Sequence, residues 1–542
     1  MTTTCDRHSS EEALARLDKS RPLGRLTAAW LLVTAAVMGA AVMAVELLGA
    51  RLLSAGYGGS LVVWAAMISV TLLSLAIGYF VGGLLSDRCP RPGLLYAVLL
   101  VASVLVAACP YERFVLQACY DSLGLRGGAL ASSAVIFFLP LSLLGFTGPF
   151  VIRLLSERKR GVGMTAGCVY AISTLGSVAG TLLTGLWLVP QFGTTTGFLL
   201  AASTMAVVAG VGLMLRFGMR AVCVLLLPVS VLLLPRPQTR VGQTYTAPDG
   251  ESVSILAVHE SPYANLVVLR KGRYHLLLAD GIVQTGVPMD FSRLQRCDLL
   301  KDSNYFQELL PYMTDDPSEA NVLIVGLAGG MTASLLQNYG MDVFSVDLDP
   351  MVIELARKYF GFEGRAVAAD GRQFLKDCPD KYDFCVIDTY SGDVFPFHMA
   401  SVEAFDTAKL VLKPGGVLAI NFIGKPNGRA FACVYKTLQA VFANVRALQG
   451  EPGDDVQTIT MLASDRRISF NRDWLMHTGG FTGVDPITES IAALTVVPDL
   501  SNAFVLTDDY NPIDFLRADE ALRWRQRTTD SVGRPGVLSG ME

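Results

Sequence analysis

Residues 322–332 read VLIVGLAGGMT. Four apolar residues, Val322 to Val325, run into Gly326, and the pair Gly329–Gly330 follows Leu327–Ala328. A short apolar run ending in glycines reads as a buried strand entering a turn where a ligand can approach the backbone. The turn lacks GxGxxG spacing and a P-loop lysine, so it does not read as a pyrophosphate cradle. It also contains no acid.

The segments that follow repeat the pattern of strand then helix. DVFSVDLD (342–349) precedes the helical PMVIELARKYF (350–360), and RAVAAD (365–370) precedes GRQFLKDC (371–378). YDFCVID (382–388) comes next, then a helix near 400–412, then GVLAINFIG (416–424). Such alternation predicts βαβ units and a parallel, Rossmann-like sheet, which binds ligands at the C-terminal ends of its strands. Those ends carry Gly326, Asp347, Asp370 and Asp388. An acid about 20 residues after the glycine turn is placed for two ribose hydroxyls, which assigns Asp347. Asp370 is placed to reach an adenine edge, and Asp388 sits beside the centre of the crevice. The competing reading of each acid is a cap on the following helix. Without a pyrophosphate cradle, a nucleoside such as S-adenosylmethionine or its decarboxylated form fits better than NAD.

Upstream, SILAVHE (254–260), NLVVLRKG (265–272) and YHLLLADG (274–281) read as short antiparallel strands. Before residue 236 the character changes. The chain of 542 residues is 51% hydrophobic and only 17% charged, and the apolar excess lies almost entirely in this first part. Spanning helices need about 20 mostly apolar residues. Candidates are 26–49, 60–85, 93–109, 129–152, 164–189, 194–215 and a shorter 219–235 that contains Pro228. The expected organisation is therefore a disordered N-terminus (1–20), an α-helical polytopic transmembrane domain of about seven helices (21–236), and a small β domain (241–300). A Rossmann-like, class I methyltransferase-type domain (301–515) and a C-terminal tail (516–542) complete it.

Arg21, Arg25, Arg88, Arg91, Arg153, Arg158, Lys159, Arg160, Arg216 and Arg220 fall in one set of loops, against Arg51, Arg113 and Arg126 in the other. The positive-inside rule puts the N-terminus in the cytoplasm. Seven full spans would then place the C-terminal half outside, away from nucleotide-type cofactors. The expectation is a cytoplasmic domain, with the seventh segment not fully crossing or an eighth span hidden; the alternative is that the domain is external. Glu46 is the one clear acid inside a span, and reads as a structural hydrogen bond or a functional group. Gly176, Gly180 and Gly185 in the fifth span read as close helix packing. The net charge of −4 gives no bulk-charge case for nucleic acid. The ten cysteines have no metal-ligand spacing, so no metal is expected. Cys109 and Cys119 read as two thiols of one inter-helix loop, with a disulfide as the alternative.

The chain resembles the spermidine synthase (polyamine aminopropyltransferase) family in its membrane-fused bacterial form. The resemblance rests on ESPYANLVVL (260–269), LLLADGIVQTG (276–286), VLIVGLAGG (322–330), VDLDP (346–350), AADGRQFL (368–375), YDFCVIDTYSGD (382–393) and LKPGGVLAINF (412–422). The late LTDDYNPID (506–514) adds to it. The resemblance implies transfer of an aminopropyl group from decarboxylated S-adenosylmethionine to an amine at a multi-pass inner membrane. It implies Asp388 as the catalytic proton acceptor. Gly326, Gly329, Gly330, Asp347, Asp370, Gly371 and Gln284 would hold the donor, and Asp280, Arg293, Tyr390 and Asp393 the acceptor. Self-association is a further expectation, from soluble relatives of the fold.

The departures from the family pattern are specific. The family's glycine turn carries an acid where this chain has Gly329, and a glutamine of its first strand motif is Ala264. The tyrosine lining its amine pocket is Arg293, and its second acid is Ser391, for which Asp393 can substitute. Removing an acid and adding a cation weakens the attraction for a polyammonium substrate. Gly329 also favours a second reading, an S-adenosylmethionine-dependent methyltransferase or related transferase with a lipid or small-molecule acceptor. A third reading is a non-catalytic transporter or sensor, from Glu46 and GGLLSDR (82–88). His398 reads as a helix-start or packing residue, Asp508 and Asp509 as a turn or docking contact, and His259 as strand surface.

Overall fold

In a computed structural model, the described residues are 24–59, 61–111, 113–156, 161–218, 241–289, 306–390, 392–450, 455–470 and 494–533, with isolated positions between 226 and 233. The chain divides into two units, residues 1–54 with 62–238 and residues 55–61 with 239–542.

The first unit is helical. Five helical runs among the described residues are long and apolar enough to cross a membrane: Arg25–Tyr57, Val62–Arg88, Pro92–Tyr111, Phe114–Ser156 and Val162–Phe217. The fifth and sixth expected spans share the last run. They are separated at Gly193, whose φ of 75° and ψ of 173° are not helical. The seventh, 219–235, lies almost wholly outside the described residues, as does the expected disordered stretch 1–20. The small-residue stripe packs as its spacing suggested. A Cβ on Gly176 would come within 2.0 Å of the Ala36 carbonyl, and one on Gly180 within 2.6 Å of Ala40 Cα. Gly185 has open space instead. Cys109 and Cys119 are both free thiols, and Cys119 sits inside the helix Arg113–Gly145 rather than in a loop.

The second unit opens with an antiparallel meander of five strands in chain order: β1 (Thr244–Thr246), β2 (Ser252–Glu260), β3 (Asn265–Lys271), β4 (Tyr274–Ala279) and β5 (Ile282–Pro288). An eight-stranded sheet follows. Its strands are β6 (Asn321–Val325), β7 (Asp342–Asp347), β8 (Arg365–Ala368), β9 (Tyr382–Ile387), β10 (Leu412–Gly424), β11 (Asn444–Gln449), β12 (Gln457–Ser464) and β13 (Thr495–Val496). The order is β13-β11-β12-β10-β9-β6-β7-β8, parallel from β10 to β8 and antiparallel beyond.

The buried apolar run of β6 follows from this position. Val322 and Ile324 enter one core, Leu323 and Val325 the other, and all four are at most 1% exposed. β9 does the same with Phe384 and Val386 against Cys385 and Ile387. A strand covered by helices on both faces has no polar side to show, so its sequence does not alternate. The chain order reverses between β6 and β9, which opens a crevice between their C-terminal ends.

The segment expected as a tail is structured in its first part. Residues Ile513–Val532 form one helix, and its buried positions include Arg517, Glu520 and Arg525. A helix that turns charged residues inward shows no apolar stripe, so neither composition nor periodicity marks it as part of the domain.

Candidate functional site

Gly326 ends β6 with a φ of +99°. Its N–H donates to the Val346 carbonyl at 2.8 Å. A Cβ at this position would stand 2.0 Å from the Asp388 carbonyl oxygen, so only glycine lets the ends of β6 and β9 meet. The Asp388 N–H in turn donates to the Val325 carbonyl at 2.8 Å. The turn continues through Ala328, a non-glycine residue at φ +47° that lines the cavity. Gly329 and Gly330 face the other way. A Cβ on Gly329 would lie 2.5 Å from Thr285 Cγ2 and 3.1 Å from Phe360 Cδ1, and one on Gly330 2.7 Å from Phe362 Cδ2. Gly329 is there for packing behind the turn, and Gly330, at φ +75°, for both packing and a left-handed backbone. The position where the family places its acid is sealed by Thr285 and Phe360.

Asp347 ends β7 half-buried. Its Oδ2 accepts the Leu327 N–H at 2.9 Å and its Oδ1 the Asp349 N–H at 2.9 Å. Burial raises its carboxyl above the ordinary value, against the opposing pull of the Asp349, Leu327 and Ala328 amides. Asp349 caps the helix Pro350–Tyr359 through Met351 N, while its buried Oδ2 has no protein partner and the residue lines the cavity. Asp370 also lines the cavity and caps the helix Gly371–Asp377, accepting from Gln373 N at 2.8 Å. Capping and facing the cavity are therefore one arrangement. Gly371 lies beside Asp370 on the same wall.

Asp388 projects from the end of β9. Its Oδ1 accepts from Asn421 Nδ2 at 2.9 Å. Burial pushes its carboxyl up to about 6, with the Asn421 bond pulling the other way. Next to it, the Tyr390 hydroxyl accepts the Ile423 N–H at 2.7 Å, and its ring lies under the Arg517 guanidinium, 5.3 Å away. Burial raises the Tyr390 phenol to about 12, so it stays neutral.

Three expected binding residues stand elsewhere or act indirectly. Asp280, at φ +46°, accepts the Asn265 N–H at Oδ1 and Arg525 Nη1 at its carbonyl oxygen. Asp393 is paired with Arg525 at 3.2 Å, with side chains 1% and 2% exposed. Neither Asp280 nor Asp393 lines the cavity. Gln284 does, but its Nε2 donates to the Gly392 carbonyl at 3.1 Å and the Ile282 carbonyl at 3.2 Å, tying the β9 loop to β5. Arg293 and Ser391 lie outside the described residues. Asp508 is a docking contact, held by both Arg372 guanidinium nitrogens and by Ser401 Oγ at 2.6 Å.

Trp524 and Asn421 complete the cavity wall without having been anticipated. Asn421 was detectable: it is the polar residue in the apolar run of β10, next to the strand that ends in Asp388. Trp524 comes from the C-terminal helix and has no such signal.

Four carboxylates thus line one cavity, those of Asp347, Asp349, Asp370 and Asp388, and no Lys or Arg does among the described residues. The glycine turn offers few spare donors, because Gly326 N and Leu327 N are already bonded. The site suits a cationic ligand and has little to hold an anionic group.

Residues 309–431 match the spermine/spermidine synthase domain family. A probable polyamine aminopropyl transferase of Bifidobacterium longum is 28% identical over 262 residues, which is 43% of this chain and 58% of that protein. The chain thus spans under two thirds of that relative's length. A polyamine aminopropyltransferase of Vibrio vulnificus is 26% identical over 232 residues, 39% of this chain and 75% of that one. Among solved structures, a probable spermidine synthase from Corynebacterium glutamicum aligns with a TM-score of 0.37 and 16% identity, over 49% of this chain and 93% of its own. The second unit thus carries a match to the spermine/spermidine synthase domain family, and polyamine aminopropyltransferases are among its sequence relatives.

Proposed function

We propose that the second unit is an aminopropyltransferase that takes decarboxylated S-adenosylmethionine as donor and an amine as acceptor, anchored to a membrane by the helices of the first unit. The observation that carries the reading is the cavity with four carboxylates and no Lys or Arg among its described lining. A donor bearing a sulfonium and an ammonium matches that charge, whereas the carboxylate of the intact cofactor would meet acids and few free amides. The donor supplies an alkyl carbon made electrophilic by the sulfonium; the protein supplies position and proton transfer. Asp347 and Asp370 hold the nucleoside side, over β7 and β8. Asp388, over β9, accepts the proton that the acceptor ammonium must lose before its lone pair attacks the carbon. The carbon–sulfur bond breaks with its electron pair going to sulfur, which leaves a neutral thioether. The Asn421 bond orients Asp388 for that task, and a carboxyl near 6 is well matched to a base at neutral pH.

The test is titration calorimetry on the full-length protein in detergent, comparing decarboxylated and intact S-adenosylmethionine. Tighter binding of the decarboxylated form supports the reading. Preference for the intact form, with methyl transfer to an acceptor, would replace it by the methyltransferase reading that Gly329 raised.

A further inference from the structure

The parallel ladder between β9 and β10 ends at Ile387 opposite Ile420, while β10 continues to Gly424 against β12. Past Ile420, the β9 side of β10 has backbone groups and no described strand to pair with. Buried backbone groups must then find partners elsewhere. At Ile423, which lines the cavity, two side chains supply them. Its N–H donates to the Tyr390 hydroxyl at 2.7 Å, and its carbonyl accepts Arg517 Nε–H at 3.1 Å. Two residues earlier, Asn421 gives its side-chain N–H to Asp388. One short stretch of β10 thus holds both Asp388 and Tyr390, and Arg517 holds that stretch.

Arg517 does more than satisfy a carbonyl. The residue is 2% exposed, and its guanidinium lies 5.3 Å from the ring centroids of both Tyr390 and Phe422. A planar cation stacked on a ring away from water fixes the ring as well as the cation. Tyr390 is therefore held at two points, by a hydrogen bond to its oxygen and by a guanidinium against its ring. Arg517 itself does not line the cavity, whereas Tyr390 does. The helix Ile513–Val532 also carries the acids that face this charge, Asp514 and Glu520, three residues to either side. Burial raises both carboxyls, Glu520 to about 7, and the Arg517 charge pulls each back.

We propose that Arg517 is a positioning residue for the amine acceptor: it touches no reactant and acts through Tyr390, whose ring it holds in the cavity wall next to Asp388. This inference rests on the aminopropyl-transfer reading for the identity of the site, and deepens it by naming the residue that sets the acceptor side. The nucleoside side, over β7 and β8, makes no contact with Arg517 or its partners at Ile423, so the effect of Arg517 falls on the acceptor alone. Two substitutions break the same junction from opposite ends. Arg517→Met keeps a long stem and removes the cation and the donor; Tyr390→Phe keeps the ring and removes the oxygen. Changes that release one ring overlap in their effects rather than add.

The experiment titrates 1,4-diaminobutane, as the probe amine, into the full-length protein in detergent saturated with methylthioadenosine. Each single variant is expected to weaken amine binding roughly tenfold, and the double variant roughly tenfold as well rather than a hundredfold, with methylthioadenosine affinity kept within about twofold. Arg517→Lys keeps a charge between the rings without the planar fork, and is expected to fall between parent and Arg517→Met. The cycle is repeated with Arg517→Lys, so an Arg517→Met variant that fails to fold leaves the result decided. Losses that multiply in the double variant overturn the inference. So do equal weakening of methylthioadenosine, which marks a merely structural role, unchanged amine binding in the Arg517 variants, and a parent that binds no amine. Release of methylthioadenosine from the decarboxylated donor is followed separately. Overlapping losses without release would defeat the transfer reading and leave the role of Arg517 standing; release with multiplying losses would do the reverse.

Discussion

The carbonyl oxygen of Asp388 occupies the space that a side chain on Gly326 would need, 2.0 Å from where its Cβ would be. The contact joins the two strand ends between which the chain order reverses, so the residue that forms the turn also fixes the height of the proposed base. Gly326→Ala meets both a backbone clash and a left-handed φ. It is expected to cost about 2–4 kcal/mol of stability and most of the nucleoside affinity. Thermal unfolding in detergent and titration of methylthioadenosine read the two effects. A stable, fully binding alanine variant would show that the strand ends are not this close.

Asp388 sets a pH dependence. With its carboxyl near 6, turnover should rise as pH increases through about 6, as the group becomes a base. Asp388→Asn should lower kcat by roughly a hundredfold or more, the usual contribution of a positioned base. The stability effect has the opposite sense. A folded-state value above the unfolded one near ~4 favours folding at low pH, and this advantage is lost as pH rises through about 6. Asp388→Asn should therefore be more stable than the parent at pH ~8, with the difference shrinking below pH ~4.

Asp347 holds the turn through two amides, Leu327 N–H and Asp349 N–H. An asparagine would set its NH2 group against one of these donors. Asp347→Asn is expected to cost about 1–3 kcal/mol and to weaken methylthioadenosine binding by at least roughly tenfold. Calorimetry checks the second figure directly.

Arg525 and Asp393 form a pair almost wholly removed from water. Loss of either partner leaves a buried unpaired charge, at about 3–5 kcal/mol. Asp393→Asn combined with Arg525→Met removes both charges and should cost clearly less than the two single changes added together. A double-mutant cycle on unfolding midpoints measures the difference. Strict additivity would mean that the pair does not form.

Gly329 tests the sealed position. Gly329→Asp alone would drive its Cβ into Thr285 Cγ2, an overpacking cost of about 1–3 kcal/mol. With Thr285→Ala the obstructing methyl is gone, and much of that stability should return. Unfolding midpoints of the two variants decide it: no recovery in the double variant would place the obstruction elsewhere, at Phe360.

The parts of this molecule legible in sequence are those that obey local rules. VLIVG predicts a strand and turn because β6 is buried on both faces and its last residue must be glycine. The strand-end acids are legible because their spacing follows the βαβ repeat. The role of Gly329 was not: its neighbours Thr285 and Phe360 are remote in sequence, and a missing acid reads as altered ligand chemistry until the packing behind it is seen. Gln284 and Asp280 carry recognisable motifs, yet their side chains bond backbone atoms. Trp524 and Arg525 were silent for a different reason. Their helix faces inward with charges, and its partners are fixed by tertiary contact, Arg525 reaching Asp393 across 132 residues.

That long reach has a consequence for the order of assembly. During synthesis, the glycine turn, the strand-end acids and β10 are all available well before Ile513–Val532 leaves the ribosome. Until then Asp393 has no guanidinium to meet and the cavity lacks its indole wall. A single late helix supplies both the ion partner of Asp393 and the Trp524 part of the cavity wall. The cavity wall is thus completed by the part of the domain that is synthesised last.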